Sequence, residues 1–303
     1  MSNILLIGGA GYIGSFLLPR LIAEGFLVDV CDTGSRGFVH GPVRYPCSYA
    51  ALTHEELAPY DDVLWFGGHS SVSAAINDPW GALGNNCLDM VALRTRLRPD
   101  ARLIYASTAS LYSAAIDSSR DDLPLSGEDR ELVVNINAYD MSKFVFDYIA
   151  KGFLKNFIGL RLGTVSGFSP NLRPELLFNA MNISALREGR VCVANPQAFR
   201  SILFLDDLYQ AVRACLTRRN LEDGFFNLAS ATLTVGELGG RIAVYHGARI
   251  ETLPPSPTYS FRLDTSKAEE QLGVRFGGDI AQRCAQFITE FSVMPPTPQP
   301  MHG

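Results

Sequence analysis

Residues 4–15 read Ile4-Leu5-Leu6-Ile7-Gly8-Gly9-Ala10-Gly11-Tyr12-Ile13-Gly14-Ser15, and an apolar-periodic segment continues over residues 16–23. A strand, a glycine turn and a helix in that order put backbone N–H groups at a helix N-terminus, where a dinucleotide pyrophosphate is held. The glycines divide the labour. Gly8 permits the tight turn, Gly11 lets phosphate approach the backbone, and Gly14 lets the helix pack on the strand. The next apolar run, residues 27–31, ends at Asp32, about 20 residues on, where an acidic side chain accepts from the adenosine ribose hydroxyls. A carboxylate there repels a 2′-phosphate, so NAD is expected rather than NADP. Gly8, Gly11, Tyr12, Ile13, Gly14 and Asp32 are the candidate cofactor residues. The bland alternative is a glycine turn with no nucleotide, against which strand, helix and acid weigh together.

At 303 residues the chain can bury a substantial core, and its net charge of −5 carries no basic excess that would point to nucleic acid. The six cysteines, Cys31, Cys47, Cys87, Cys192, Cys215 and Cys284, form no CxxC pair and no Cys/His zinc spacing. No metal site is expected, and reduced thiols suit a cytoplasmic location. No apolar run approaches the about 20 residues that cross a bilayer, and no basic leader precedes the first strand, so neither membrane anchoring nor secretion is expected. The proline-rich end, 293–303, is expected to be disordered.

Strand-like runs at 4–7, 27–31, 63–66, 103–106 and 157–162 alternate with helical patterns at 15–24, 80–97 and 138–155. Alternation of this kind predicts βαβ units and a Rossmann-type doubly wound parallel sheet, an α/β fold. After residue 162 the alternation becomes irregular. The expected organisation is a nucleotide-binding domain over 1–165 with a return segment near 196–225, and a smaller, mainly C-terminal substrate lobe over 166–195 and 226–292.

Tyr139 and Lys143 stand four apart in Ala138-Tyr139-Asp140-Met141-Ser142-Lys143, on one face of a helix. A phenol is a poor base at neutral pH, but a neighbouring ammonium and an oxidised nicotinamide both favour phenolate. Such a tyrosine can trade a proton with a substrate hydroxyl. By itself the spacing is equally that of a tyrosine packed under a solvated lysine. The run 103–106 leads into Ser107-Thr108-Ala109-Ser110, hydroxyls at the carboxyl end of a parallel strand, where ligands bind in such sheets. Thr108 is the candidate that orients the reacting oxygen toward Tyr139; the alternative is a hydroxyl that satisfies the turn backbone.

From the glycine motif to Asp264-Thr265-Ser266-Lys267-Ala268 the chain resembles an extended short-chain dehydrogenase/reductase of the nucleotide-sugar epimerase/dehydratase family. The resemblance implies Tyr139 as catalytic acid/base, Lys143 as the group that lowers its pKa and binds the nicotinamide ribose, and Thr108 in the Ser/Thr position. It implies substrate diphosphate contacts for Arg200 and Arg262, two guanidinium forks suited to an anion. It also implies a homodimer paired through the helices at 80–97 and 138–155.

Departures from the family narrow the chemistry. Where 4,6-dehydratases carry Asp-Glu after the threonine, this chain has Ala109-Ser110, and no cysteine occupies the turn. What remains is one hydride and one proton transfer at a single carbon, which favours C4 epimerisation of a nucleotide-diphosphate sugar through a transient keto-sugar. Trp65-Phe66-Gly67-Gly68-His69-Ser70-Ser71 replaces a common His-Leu-Ala-Ala pattern, so Gly67 is a candidate cofactor contact and His69 and Ser71 candidate substrate contacts. Ser48 is a candidate for the missing acidic residue at the adenine. Thr164 stands where an asparagine often holds the substrate phosphates, with Asn179 as a replacement donor. Two other readings stay open: a net keto-sugar or carbonyl reductase, with Arg36 placed to meet a 2′-phosphate, and a non-catalytic NAD-binding module.

Overall fold

A computed structural model of the chain describes residues 2–37, 43–113, 126–128, 132 and 137–293. The tail expected to be disordered lies, from residue 294 on, outside them. In chain order the described elements are β1 (Asn3–Ile7), α1 (Tyr12–Ala23), β2 (Leu27–Cys31), α2 (His54–Leu57), β3 (Asp62–Trp65), α3 (Val72–Asn77), α4 (Pro79–Leu83), α5 (Asp89–Arg96), β4 (Arg102–Thr108), α6 (Ala138–Phe153), β5 (Phe157–Leu162), β6 (Thr164–Ser166), α7 (Leu177–Glu188), β7 (Arg190–Val193), β8 (Phe199–Phe204), α8 (Leu205–Thr217), β9 (Gly224–Leu228), β10 (Ala231–Thr234), α9 (Val235–His246), β11 (Arg249–Thr252), α10 (Ser266–Leu272) and α11 (Ile280–Ser292).

Six strands form one parallel sheet in the order β2-β1-β3-β4-β5-β9. Every side chain of β3 is buried and alternate residues of β1 serve opposite faces, because helices cover both sides. Ile4 and Leu6 join Phe16, Leu17 and Leu208 under α1 and α8, while Leu5 and Ile7 join Met90, Leu93 and Phe146 under α5 and α6. The chain runs outward from β1 to β2 and returns to β3 on β1's other side. The carboxyl ends of β1 and β3 are therefore a switch point, where a crevice opens in such sheets. Immediately after β5, Gly163 diverts the chain into β6, which pairs with β8 in a second sheet β10-β8-β6. A third apolar cluster, with Phe178, Val191, Leu238 and Phe287, packs α7, α9 and α11 around β7.

Two local expectations change. The helix expected from residue 15 starts at Tyr12, with Gly11 at its N-cap. The single helix expected over 80–97 is α4 and α5 separated by a π-helical turn, Gly84–Leu88. The wider turn presents Asn86, whose Nδ2 donates to the His69 carbonyl (3.0 Å) and the Ser142 hydroxyl (3.1 Å), pinning the loop after β3 to α6. Beyond β2 a single bridge, Cys31 to Tyr45, extends the edge of the sheet.

Candidate active site

A cavity of about 650 Å³ follows the carboxyl ends of β1, β2 and β3. Gly8, Gly11, Tyr12, Ile13, Asp32, Ser48 and Gly67 all line it. Gly14 does not: it lies beneath the turn, where a Cβ would stand 2.1 Å from the Gly8 carbonyl oxygen. Gly8 itself has φ +82°, and a Cβ there would stand 2.6 Å from the Gly67 nitrogen. Asp32 fastens the turn, accepting from Ala10 N–H at 3.0 Å and Gly34 N–H at 2.8 Å. Since no side chain caps the N-terminus of α1, its first amides remain available to an anion. The cradle fits a dinucleotide pyrophosphate, with Asp32 at the ribose end and Arg36 beside it in the cavity wall.

A second cavity, about 530 Å³, adjoins the first, and Tyr12, Gly67, His69 and Arg173 line both. Thr108, Tyr139 and Lys143 meet in its wall. Thr108 ends β4, paired with Leu162 of β5, and Tyr139 and Lys143 come from successive turns of α6, which Asn137 caps by accepting from Asp140 N–H at 2.9 Å. Burial raises the Tyr139 phenol, the neighbouring Asp140 carboxylate adds to the rise, and the charge of Arg173 opposes it. Burial also lowers the Lys143 ammonium from 10.5 to about 7, with the Asp147 carboxylate pulling the other way. Lys143 Nζ donates to the Ala106 carbonyl at 2.9 Å and lies 4.1 Å above the Trp65 ring. Arg173 thus bears on Tyr139 as a cation from outside α6. The sequence offered no signal for Arg173, since it sits in the irregular stretch between β6 and α7. Its guanidinium meets Glu175 at 2.7 Å and donates to the Ser70 carbonyl at 3.2 Å.

Of the expected substrate contacts, His69, Ser71, Thr108 and Arg200 line the second cavity. His69 Nε2 stands 3.3 Å from Asp78, and Ser71 caps α3 through Ala74 N–H at 3.2 Å. Arg200 leaves β8 to donate to the Tyr259 carbonyl and, at 2.5 Å, to the Thr258 hydroxyl. Burial lowers its pKa to about 10, and among the described residues no carboxylate forms an ion pair with it. Two expectations require correction. Asn179 is fully buried, accepts from Gly167 N–H at 2.9 Å, and donates to Tyr12 Oη at 3.2 Å and the Arg173 carbonyl at 3.0 Å. These bonds use both ends of its amide to hold Tyr12 and Arg173 in place, and it does not face the cavity. Arg262 is also absent from the lining; its guanidinium lies 5.1 Å from the Phe199 ring centre.

This fold, glycine cradle and Thr-Tyr-Lys wall define a nucleotide-dependent enzyme of the short-chain dehydrogenase type. The chain belongs to the NAD dependent epimerase/dehydratase family, whose model matches residues 4–229, and NAD is the cofactor. It is 28% identical to the UDP-glucose 4-epimerase of Streptococcus mutans over 184 residues, 55% of this chain and 53% of that protein. It is also 28% identical to UDP-arabinose 4-epimerase 1 of Arabidopsis thaliana over 226 residues, 67% of this chain and 52% of that one. The chain thus spans about half the length of the curated relatives it matches. Among solved structures, the UDP-glucose 4-epimerase of Thermotoga maritima superposes with a TM-score of 0.79 at 21% identity, covering 96% of this chain and 98% of the other. The dehydratase TunA, at 22% identity and the same coverages, superposes with 0.81. The backbone is therefore shared by both chemistries, and the side chains must separate them.

Proposed function

We propose that the protein is an NAD-dependent nucleotide-sugar epimerase acting at C4. One observation carries the reading: a continuous cleft sets the Tyr139 and Thr108 hydroxyls between the glycine cradle and Arg200, a half-buried guanidinium with no carboxylate pairing it among the described residues. A half-buried, unpaired cation of that kind is stabilised by an incoming anion, and a sugar diphosphate brings one. NAD, when bound, supplies a hydride acceptor that can return the hydride to the same carbon. Tyr139 exchanges a proton with the sugar hydroxyl, Thr108 orients that oxygen, and Lys143 binds the nicotinamide ribose while its charge favours phenolate. Arg200 holds the diphosphate while the keto-sugar turns over. Ala109 and Ser110 supply no acid and base for removing water across a second carbon pair, which favours epimerisation over dehydration. Asp32 and Ser48 serve the ribose and adenine ends, and His69 and Ser71 border the sugar.

A second reading, net reduction of a carbonyl, is favoured by Arg36, which lines the cofactor cavity beside Asp32 where a 2′-phosphate would lie. One experiment separates the two. The purified protein is denatured to identify any released dinucleotide, and the native protein is incubated with UDP-, dTDP-, GDP- and CDP-sugars and read by NMR. Retained NAD and a new stereoisomer without net NADH support the epimerase. Turnover only with added NADPH or NADH supports the reductase. We further propose a cytoplasmic homodimer formed through α4, the following π-helical turn, α5 and α6, on which Trp80, Leu88, Tyr148 and Phe153 are exposed.

A further inference from the structure

Asp140, next to Tyr139, is fully buried and does not line the cavity. Its Oδ1 accepts from the Ser110 hydroxyl at 2.5 Å, and its Oδ2 accepts from Asn137 Nδ2 at 2.7 Å and from the Tyr259 hydroxyl at 2.8 Å. Ser110 Oγ lies 2.9 Å from Thr108 Oγ1, and Ser110 N–H donates to the same Thr108 oxygen at 3.2 Å. An ionised carboxylate only accepts, so Ser110 must spend its one proton on Asp140. In its contact with Thr108, Ser110 then only accepts, and Thr108 must donate to it. The direction of every hydroxyl in the chain is set from Asp140. We propose that Asp140 is a positioning residue, acting through Ser110 to turn the Thr108 proton away from Tyr139, so that Thr108 meets the reacting oxygens as an acceptor.

The same carboxylate ties this chain to Tyr259, whose carbonyl accepts from Arg200. The wall that would receive the diphosphate and the wall that would receive the sugar hydroxyl thus share one buried anion. A Thr108 oxygen that can only accept favours the neutral, donating form of Tyr139 and costs the phenolate a hydrogen bond. Among the described residues, charged and titratable groups bearing on Tyr139 include Asp140 on α6 and Arg173 from the β6–α7 segment, with Lys143 in the same cavity wall, and those bearing on Asp140 include Tyr139 and Tyr259.

The role rests on the epimerase reading for its catalytic consequence, but its test does not need turnover. In the NAD-loaded protein, phenolate absorbance is titrated against pH and the signal of Tyr139 isolated by subtracting a Tyr139→Phe titration made in the same background. Ser110→Ala frees the Thr108 proton to turn toward Tyr139, and Asp140→Asn removes the anion that fixes the chain. A charged hydrogen bond regained is expected to move the Tyr139 midpoint down by about one pH unit in Ser110→Ala, and downward in Asp140→Asn as well. A midpoint that stays or rises in Ser110→Ala overturns the proposal. Ser110→Ala deletes one oxygen and keeps the backbone bond to Thr108, so it retains the fold if Asp140→Asn does not. If wild type turns over no nucleotide sugar while the midpoint still falls, the epimerase reading fails and the positioning role stands.

Discussion

At the scale of single residues, Tyr139 and Lys143 are both held away from their charged forms. Burial raises Tyr139 and lowers Lys143 to about 7, so neither holds its full charge at neutral pH in the cofactor-free cleft, and the charge of an oxidised nicotinamide would tip the phenol toward phenolate. Tyr139→Phe is expected to keep NAD, measured as dinucleotide released on denaturation, and to lose epimerase activity by about 10²–10⁴-fold, the range of a missing general acid/base. Full activity in that variant would remove Tyr139 from the reaction. Lys143 makes a second, independent prediction. Between about 7 and 10.5 the unfolded chain binds a proton at this lysine that the folded chain does not, so the lysine's contribution makes stability rise with pH across that window. Below about 7 the burial penalty is present in full. The thermal midpoint of the cofactor-free protein should therefore climb less between pH 7 and pH 10 in Lys143→Met than in wild type; equal slopes would place the lysine in contact with water.

At the scale of elements, the β1–turn–α1 unit shows what local sequence can and cannot specify. Replacing glycine by alanine inside a helix usually stabilises it by about 0.5–1 kcal/mol. Gly152 in α6, with open space where a Cβ would point, should behave that way. Gly14 in α1 should not, because its Cβ would stand 2.1 Å from the Gly8 carbonyl oxygen and push the helix off the turn. We expect Gly14→Ala to cost about 1–3 kcal/mol in denaturant unfolding and to release NAD, while Gly152→Ala gains stability and keeps it. The glycine turn, the strands of the parallel sheet and the Tyr139–Lys143 face of α6 were legible because each rests on short-range spacing or a continuous apolar run. Asn179 and Arg262 were misplaced because side-chain direction in irregular segments depends on tertiary partners: Asn179 is occupied by Tyr12, Gly167 and Arg173, and Arg262 turns toward Phe199. Arg173 and Tyr259 were invisible for the same reason, since each reaches the cleft from a segment without periodicity. The π-helical turn was missed because a single wide turn slips the helical phase only once, and the short apolar runs on either side of it, in α4 and α5, each still read as helix.

At the scale of the molecule, α4, the π-helical turn and α6 carry large apolar side chains that nothing among the described residues covers. Trp80 is 81% exposed and Phe153 79%, with Tyr148 and Leu88 also open. Isolated exposed apolar residues are ordinary, but four on the helical layer beside one face of the sheet suit burial against a second copy. A two-fold pairing would bring the same surface from each chain together, and it would brace α6, the helix that carries Tyr139, Asp140 and Lys143. The prediction joins assembly to chemistry. Wild type should sediment at twice the chain mass of 33.1 kDa, and the pair Trp80→Asp with Phe153→Asp should sediment at the single-chain mass. If bracing of α6 matters, the monomeric variant should also retain less NAD and show a lower kcat, with KM for the sugar nucleotide little changed because Arg200 lies on β8. A wild type that sediments as a monomer at micromolar concentration would refute the pairing. A monomeric variant with unchanged kcat would show instead that α6 is held by its own contacts, chiefly Phe146 in the core beneath it and the Asn86–Ser142 bond.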